Sequence, residues 1–466
     1  MANPSKKSPN LETVTTINDD GSHYVLHPAD VRGKFTVMRR LVAAVMLFVY
    51  VALPWIQING NPAVFLDVAH RRFHLFGLTL APQDLWVLFF LISGLGFTLF
   101  FVTSLLGRLW CGWACPYTIF LEHIFRRVER LIDGDAPARR KLAAAPWNFE
   151  KIWKRVLKHG IYILSAFLIA HIFLSYFVSL KSLYGYMREN PLAHFTPFAV
   201  AAFLTVVLYG CFAFFREQFC IIMCPYGRIQ SVLTDDDTMI IGYDEKRGEP
   251  RGAKGKVEGD CIDCRRCVNV CPTGIDIRNG LQIECIGCSA CVDACDEIMV
   301  KVGRPKGLVR YDSLNGLAGL KRRILRPRIF LYLGLAGLGT AAMIGAVTQR
   351  ARPYTWSVTR MQGPPYYTDG NAVRNHYQVL LINKRNQPAT VTFDLVNPPA
   401  GFNLSGENEP LPMEPKSELE RPAIIVCDYE NFTGPVELQL RATANPGNTT
   451  LLQTIRFIGP NPNSLK

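Results

Sequence analysis

Five stretches of the chain are apolar for long enough to cross a bilayer, which takes about 20 mostly apolar residues in succession. They run over roughly 38–58, 84–106, 160–180, 196–215 and 329–348. Cations are distributed unevenly around them. The connection between the second and third stretches is dense in them, from Arg108 through Arg126, Arg127 and Arg130 to Lys158, and Lys321, Arg322, Arg323, Arg326 and Arg328 precede the fifth. The loops after the first and third stretches hold only Arg71 and Arg72, and Lys181 and Arg188. Lys and Arg accumulate on the cytoplasmic side of membrane proteins. The pattern therefore predicts five spans, with the amino terminus and both basic connections in the cytoplasm and the carboxyl terminus outside. The residues before Val37 are polar and carry no signal-peptide pattern.

Beyond about Arg350 the apolar period shortens to two, as in Tyr377, Val379 and Leu381, then Val391, Phe393 and Leu395, then Val436, Leu438 and Leu440. Strict alternation predicts half-buried strands. Asn397 to Gly401 and Pro446-Gly447 separate them as turns, which predicts a small antiparallel β-sandwich. Its single cysteine, Cys427, can form no internal disulfide and is expected to be an inert buried thiol.

At 466 residues, several folding units are expected. The hydrophobic share of 49% hides the spans, because polar segments dilute them. A net charge of +13 would suit nucleic acid, but the cations flank hydrophobic runs and no nucleic-acid-binding motif accompanies them, so no such partner is expected. Cysteine changes the picture more. Thirteen of the 14 cysteines lie between 111 and 295 in close groups, a pattern of metal binding and not of a disulfide framework.

Cys261-x2-Cys264-x2-Cys267-x3-Cys271-Pro272 recurs 24 residues later as Cys285-x2-Cys288-x2-Cys291-x3-Cys295. In two-cluster ferredoxins three cysteines of such a run hold one 4Fe-4S cubane, and the fourth reaches the other. One cluster would take Cys261, Cys264, Cys267 and Cys295, the other Cys285, Cys288, Cys291 and Cys271. Structural zinc sites need only four ligands and fit this spacing poorly. Asp296 stands where the second run would often carry proline. The segment contains no acid–base constellation, so it reads as a one-electron relay.

Two further elements are near copies, Cys111-Gly112-Trp113-Ala114-Cys115-Pro116-Tyr117 after the second span and Cys220-Ile221-Ile222-Met223-Cys224-Pro225-Tyr226 after the fourth. Residues four apart share a helix face, and the proline marks a break beside each pair. Two thiolates at one point make a soft site suited to Cu(I), and four sulfurs could converge. Simple packing of the helix ends, or a reversible dithiol, remain alternatives. Met223 and Cys211 read as packing. His123 reads as a solvated or capping residue and His171, within the third span, as hydrogen-bonded and structural, with functional roles open for both.

On these paired elements, the eight-cysteine repeat, the fifth span and the closing β domain, the whole chain resembles the CcoG/FixG/RdxA family of membrane polyferredoxins, accessory proteins of cbb3-type cytochrome c oxidase. The resemblance implies a bacterial inner-membrane protein that reduces Cu(II) to Cu(I) during oxidase assembly, with an immunoglobulin-like domain in the periplasm. Its implied partners are a cytoplasmic electron donor, a copper chaperone or transporter, and oxidase subunits. The expected organisation is multidomain: a cytoplasmic segment 1–37, a four-span α-helical membrane domain 38–240, an inserted ferredoxin domain 241–328, a fifth transmembrane helix 329–348 and an immunoglobulin-like β-sandwich 349–466. Two rival readings stay open, a quinol-linked conduit to a periplasmic partner and a non-enzymatic copper-binding assembly factor.

Overall fold

The computed structural model describes residues 25–58, 60–68, 71–80, 85–252, 259–350, 353–385, 387–405 and 409–460. Most of the expected amino-terminal segment, and Asp84 at the start of the second expected span, lie outside them. The chain divides into two compact units, Met1–Phe76 with Leu80–Gly345, and Ala346–Lys466 with Gly77–Thr79.

Among the described residues, the first unit and the helix leading out of it hold five helices long and apolar enough to cross a membrane. These are α1 (Lys34–Ala52), α2 (Leu85–Leu106), α3 (Phe149–Leu174), α4 (Phe195–Gly210) and α5 (Pro327–Arg350). Phe48, Phe89, Phe203, Val206 and Leu338 stand exposed on them, as expected of side chains whose solvent is lipid. Two boundaries differ from the hydropathy pattern. Helix α1 begins four residues before the expected start at 38 and stops at Ala52, just ahead of Pro54, which has no amide N–H to continue the ladder; Leu53 itself keeps helical dihedrals (φ −54°, ψ −41°) and donates to Val49 O at 3.1 Å. Helix α3 starts at Phe149, well before 160, because Asn148 caps it by accepting from the Lys151 amide at 2.9 Å. Its first turns are basic, and Lys158 among them is buried against Asp133 at 2.5 Å. It ends at Leu174, short of 180, and a separate helix Leu180–Tyr186 follows. Helix α4 continues into a π-helical turn, Cys211–Phe215.

The segment between α4 and α5 is a small α/β module. Strand Ile240–Tyr243 pairs antiparallel with Val309–Asp312, and helices Arg266–Asn269 and Ala290–Lys301 lie between them in sequence. Its core gathers Ile241, Ile275, Ile277, Val292, Met299, Leu308 and Val309 around Cys261, Cys267 and Cys295. The sequence repeat is also a backbone repeat. Asp263 and Arg265 take φ of 53° and 51°, and their counterparts 24 residues on, Gly287 and Ser289, take 66° and 62°. Alternate left-handed residues curl each loop, which buries Cys261 and Cys267 of the first and Cys288 of the second, while Cys264 stands exposed. Asp296 has its own explanation: helix Ala290–Lys301 runs through this position, where proline would break it, and the carboxylate accepts from the Gly307 amide at 2.8 Å.

The second unit is the expected β-sandwich. One sheet orders strands Phe402–Ser405, Glu418–Asp428, Ala372–Asn383 and Tyr354–Arg360, with Tyr367–Asp369 also paired to Ala372–Asn383. The other orders Leu411–Met413, Ala389–Val396, Val436–Asn445 and Thr449–Phe457. Val373, Tyr377, Val379, Leu381 and Ile425 of the first meet Val391, Phe393, Leu438 and Leu440 of the second in one core, which also encloses the free thiol of Cys427.

Candidate electron-transfer site

The two Cys-x3-Cys-Pro elements fold alike, but not with both cysteines on one helix. Cys111 lies in the short helix Leu109–Trp113, whereas Cys115 is extended (φ −63°, ψ 123°) and caps the next helix, Pro116–Phe120. Cys220 likewise sits in a π-helical turn, Phe219–Met223, and Cys224 is extended (φ −72°, ψ 110°) before helix Pro225–Leu233. The break falls inside each pair, because the prolines at 116 and 225 push the preceding cysteine into the extended region. In both copies the second cysteine's amide reaches back five residues, to Trp110 O and to Phe219 O, at 2.9 Å each.

The copies pack on one another. The Tyr117 ring stacks on Phe219 at 4.4 Å and lies 5.0 Å from Phe212, while the hydroxyl of its counterpart Tyr226 meets Thr103 Oγ1 at 2.7 Å. Gln230 Oε1 accepts from the Cys111 thiol at 3.2 Å and from Arg108 Nε at 2.9 Å. Burial pushes the Cys111 thiol up to about 12, with Cys115 and Cys224 adding to the shift. Burial, then Cys115, Cys111 and Cys224, does the same to Cys220. The four sulfurs thus share one electrostatic neighbourhood. Among the described residues, however, no three His, Cys, Asp or Glu side chains close on a single ion position. A closed four-sulfur cage is therefore absent among the described residues.

Other sulfur and imidazole groups stand apart. The His171 ring packs 3.9 Å from Phe167, whose carbonyl lies 2.9 Å from Nδ1. His123 is held down to about 4 by burial and by Arg39. Met223 is exposed, and the Cys211 carbonyl accepts from Tyr117 Oη at 3.1 Å.

In the α/β module a cavity of about 330 Å³ is lined by Cys271, Cys285, Cys288 and Cys291 together with Cys267 and the apolar Ile241, Ile275 and Ile277. Burial raises Cys267, Cys285 and Cys295 to about 12 and Cys291 well above the usual thiol range. Thiolates in so dry a place require a cationic partner, which iron supplies. Cys295 feels Cys264 and Cys261, while Cys285 feels Cys288 and Cys271. Donor type fits 4Fe-4S clusters at both sets, and the cavity and burial fit one at Cys271, Cys285, Cys288 and Cys291; in the other set Cys261, Cys267 and Cys295 are buried and Cys264 is exposed.

The module's second cysteine loop is seated on the first thiol element. A Cβ added to Gly112 would stand 2.6 Å from Ile286 O and 2.8 Å from Cys288 Cα. On Gly287 it would stand 3.1 Å from Arg108 O. Backbones therefore touch where side chains would keep them apart. Trp113 Nε1 donates to Gly287 O at 3.2 Å, and Arg39 Nε to Gly112 O at 3.0 Å. Cys111 packs on the cluster of Ile286, Cys288, Ala290 and Ala294. Asp293 accepts from the Phe35 and Thr36 amides at 3.2 and 2.7 Å, which ties the module to the first turn of α1.

Buried charge completes the seam. Arg126 pairs with Glu217 at 2.8 Å and donates to Pro272 O at 3.1 Å, and Arg216 pairs with Glu129 at 2.8 Å. None of these roles, nor those of Gly112 and Gln230, is visible in the sequence, where the arginines read only as markers of membrane side. The near identity of the two elements was the one available hint that they form a single site.

Comparison with known proteins agrees with this geometry. A 4Fe-4S dicluster domain matches residues 215–314, a 4Fe-4S binding domain matches 86–134, and the IG-like fold at the C-terminal of FixG matches 343–460. The chain is 38% identical to Protein RdxA of Cereibacter sphaeroides, over 77% of this chain and 79% of that protein. It is 35% identical to the nitrogen fixation protein FixG of Rhizobium meliloti, over 80% of each. To Protein RdxB of Cereibacter sphaeroides it is 36% identical, over 82% of this chain and 84% of that protein. With dicluster module, apolar helices and terminal sandwich all present, the chain is an iron–sulfur electron-transfer membrane protein of the FixG/RdxA family.

Proposed function

We propose that this protein reduces Cu(II) to Cu(I) at the paired thiol elements while a cbb3-type oxidase is assembled. Bound clusters supply one-electron storage. The proposed ligand sets are Cys261, Cys264, Cys267 and Cys295 for one cluster and Cys285, Cys288, Cys291 and Cys271 for the other, and the neighbours that shift Cys295 and Cys285 support this crossing. Electrons come from a low-potential cytoplasmic donor. Each Cu(II) ion, as substrate, accepts one electron, and thiolates among Cys111, Cys115, Cys220 and Cys224 hold the Cu(I) product while their protons leave to solvent.

The observation that carries this reading is the backbone contact of Gly112 with Cys288. It joins the thiol element to a cluster-ligand loop without an intervening side chain. Loop cations argue for a cytoplasmic module and a sandwich outside the inner membrane. The sandwich is then free to meet a copper chaperone or transporter, or oxidase subunits. Anaerobic Cu(I) production by purified protein tests the reading. Cys111→Ala and Cys220→Ala should each lower the rate at least tenfold with both clusters retained, and unchanged rates would refute the assigned site.

A second reading has one feature in its favour. A cavity of about 940 Å³ lies between the end of α2 and the module, with Leu106, Leu109, Met239 and Ile283 on its wall beside Arg108, Tyr311 and Cys285. An apolar body with a polar head, such as a quinol, suits that lining. Reduction of the clusters by a quinol analogue would favour a quinol-linked conduit, and failure of that reduction would eliminate it.

A further inference from the structure

A third cavity, of about 620 Å³, opens where α1, the helix Arg126–Asp133 and the ferredoxin module meet. Six arginines line it, Arg39, Arg40, Arg126, Arg127, Arg130 and Arg139, against two carboxylates, Asp30 and Glu122. Glu122 pairs with Arg126, and Asp30 pairs through Oδ1 with Arg130, its Oδ2 being the one buried carboxylate oxygen of the two residues left without a hydrogen-bond partner among the described residues. Among the described residues Arg40 and Arg127 have no hydrogen-bond or ion-pair partner. The Nε groups of Arg126 and Arg139 are also unpartnered, although these residues are only 7% and 4% exposed. So many guanidinium donors around one space, with too few acceptors, call for an anion. Forked guanidinium donors match phosphate oxygens best.

We propose that this cavity binds the phosphate head group of an anionic phospholipid. The choice of lipid over free phosphate rests on what adjoins the arginines. Arg40 lies within an apolar stripe of α1, where Val37, Leu41, Val45 and Phe48 follow one another at helical spacing and all stand exposed. A head group held by Arg40 and Arg127 sits at the top of a ready surface for its acyl chains. Basic pockets between spanning helices are suited to such head groups. Val270, Pro272 and Ala290 of the module form part of the same wall, so the lipid would bridge the first span and the ferredoxin module and hold them together.

The test is lipid binding by delipidated full-length protein in non-ionic detergent, followed by native mass spectrometry. Phosphatidylglycerol should bind saturably at one site, phosphatidylcholine should not compete, and inorganic phosphate should not displace it. Arg40→Gln and Arg127→Gln should each weaken binding about fivefold, and together about 25-fold, from about 1 kcal/mol per cation at a membrane surface. Neither substitution orphans a partner, so the variants should keep their cluster absorbance. Arg188→Gln, in the loop after α3, should leave binding unchanged. Equal binding by the double variant, equal loss in Arg188→Gln, or no preference for phosphatidylglycerol would each overturn the proposal. Displacement by inorganic phosphate would overturn the lipid assignment in favour of a free-phosphate site.

Discussion

Gly112 and Cys288 meet backbone to backbone: a single methyl added to Gly112 would lie 2.8 Å from Cys288 Cα. Real side chains do not tolerate that distance, and the obstacle is main chain, which cannot rotate away. Gly112→Ala should therefore push the cluster loop off the first thiol element and destabilise the protein by about 1–3 kcal/mol, the usual cost of overpacking. Both clusters should still form, because no ligand is touched. Cupric reduction should slow at least tenfold. Visible absorbance of the clusters and the anaerobic rate, measured on one preparation, check both halves.

Crossed ligation predicts which cluster each fourth cysteine supports. Cys271→Ala should disturb the cluster of Cys285, Cys288 and Cys291, and Cys295→Ala the cluster of Cys261, Cys264 and Cys267. Intact protein should contain about eight iron atoms per chain, and each variant about four when its cluster is lost. About twelve in the intact protein would mean that the four cysteines at 111, 115, 220 and 224 hold a cluster of their own.

The Lys158–Asp133 pair, 2.5 Å apart and buried, should behave as buried ion pairs do. Lys158→Met strands the Asp133 carboxylate and should cost about 3–5 kcal/mol of stability. Lys158→Met with Asp133→Leu should recover most of it. Thermal unfolding of the two variants under the same conditions reads the difference.

Stability should fall with acidification in two stages. Burial holds His27 and His123 down at about 4, against 6.5 for a free imidazole. On unfolding they take up protons, so between pH 6.5 and about 4 the unfolded state binds more protons and stability drops as pH falls. Burial alone would raise Glu129, but Arg216 and Lys158 hold it down at about 2, against 4.5. Its contribution is present above about 4.5 and is lost as pH falls towards 2. His27→Gln with His123→Gln should flatten the upper stage and leave the lower one, as followed by thermal unfolding at stepped pH.

Much of this molecule is legible in the chain. Hydropathy locates all five spanning helices because a bilayer leaves the backbone few options, and the 24-residue cysteine repeat locates the module because cubane geometry restricts loop length. What stays hidden is long-range or local in ways that composition does not report. Nothing near Gly112 in sequence announces Cys288, which is 176 residues away. Lys158 looks like a marker of membrane side until Asp133 is found beside it. The expectation of one helix face for each Cys-x3-Cys pair fails because proline acts on the residue before it, and that residue is the second cysteine.

The most direct measurement loads the anaerobic protein with a known number of electrons and mixes it rapidly with Cu(II). Cluster bleaching and Cu(I) formation are then followed together. The account predicts one Cu(I) per electron, with both signals changing at the same rate in wild type and Cu(I) formation slowed at least tenfold in Cys111→Ala and Cys220→Ala. Clusters that stay reduced while Cu(I) appears, or thiol variants that reduce copper at the wild-type rate, would contradict it.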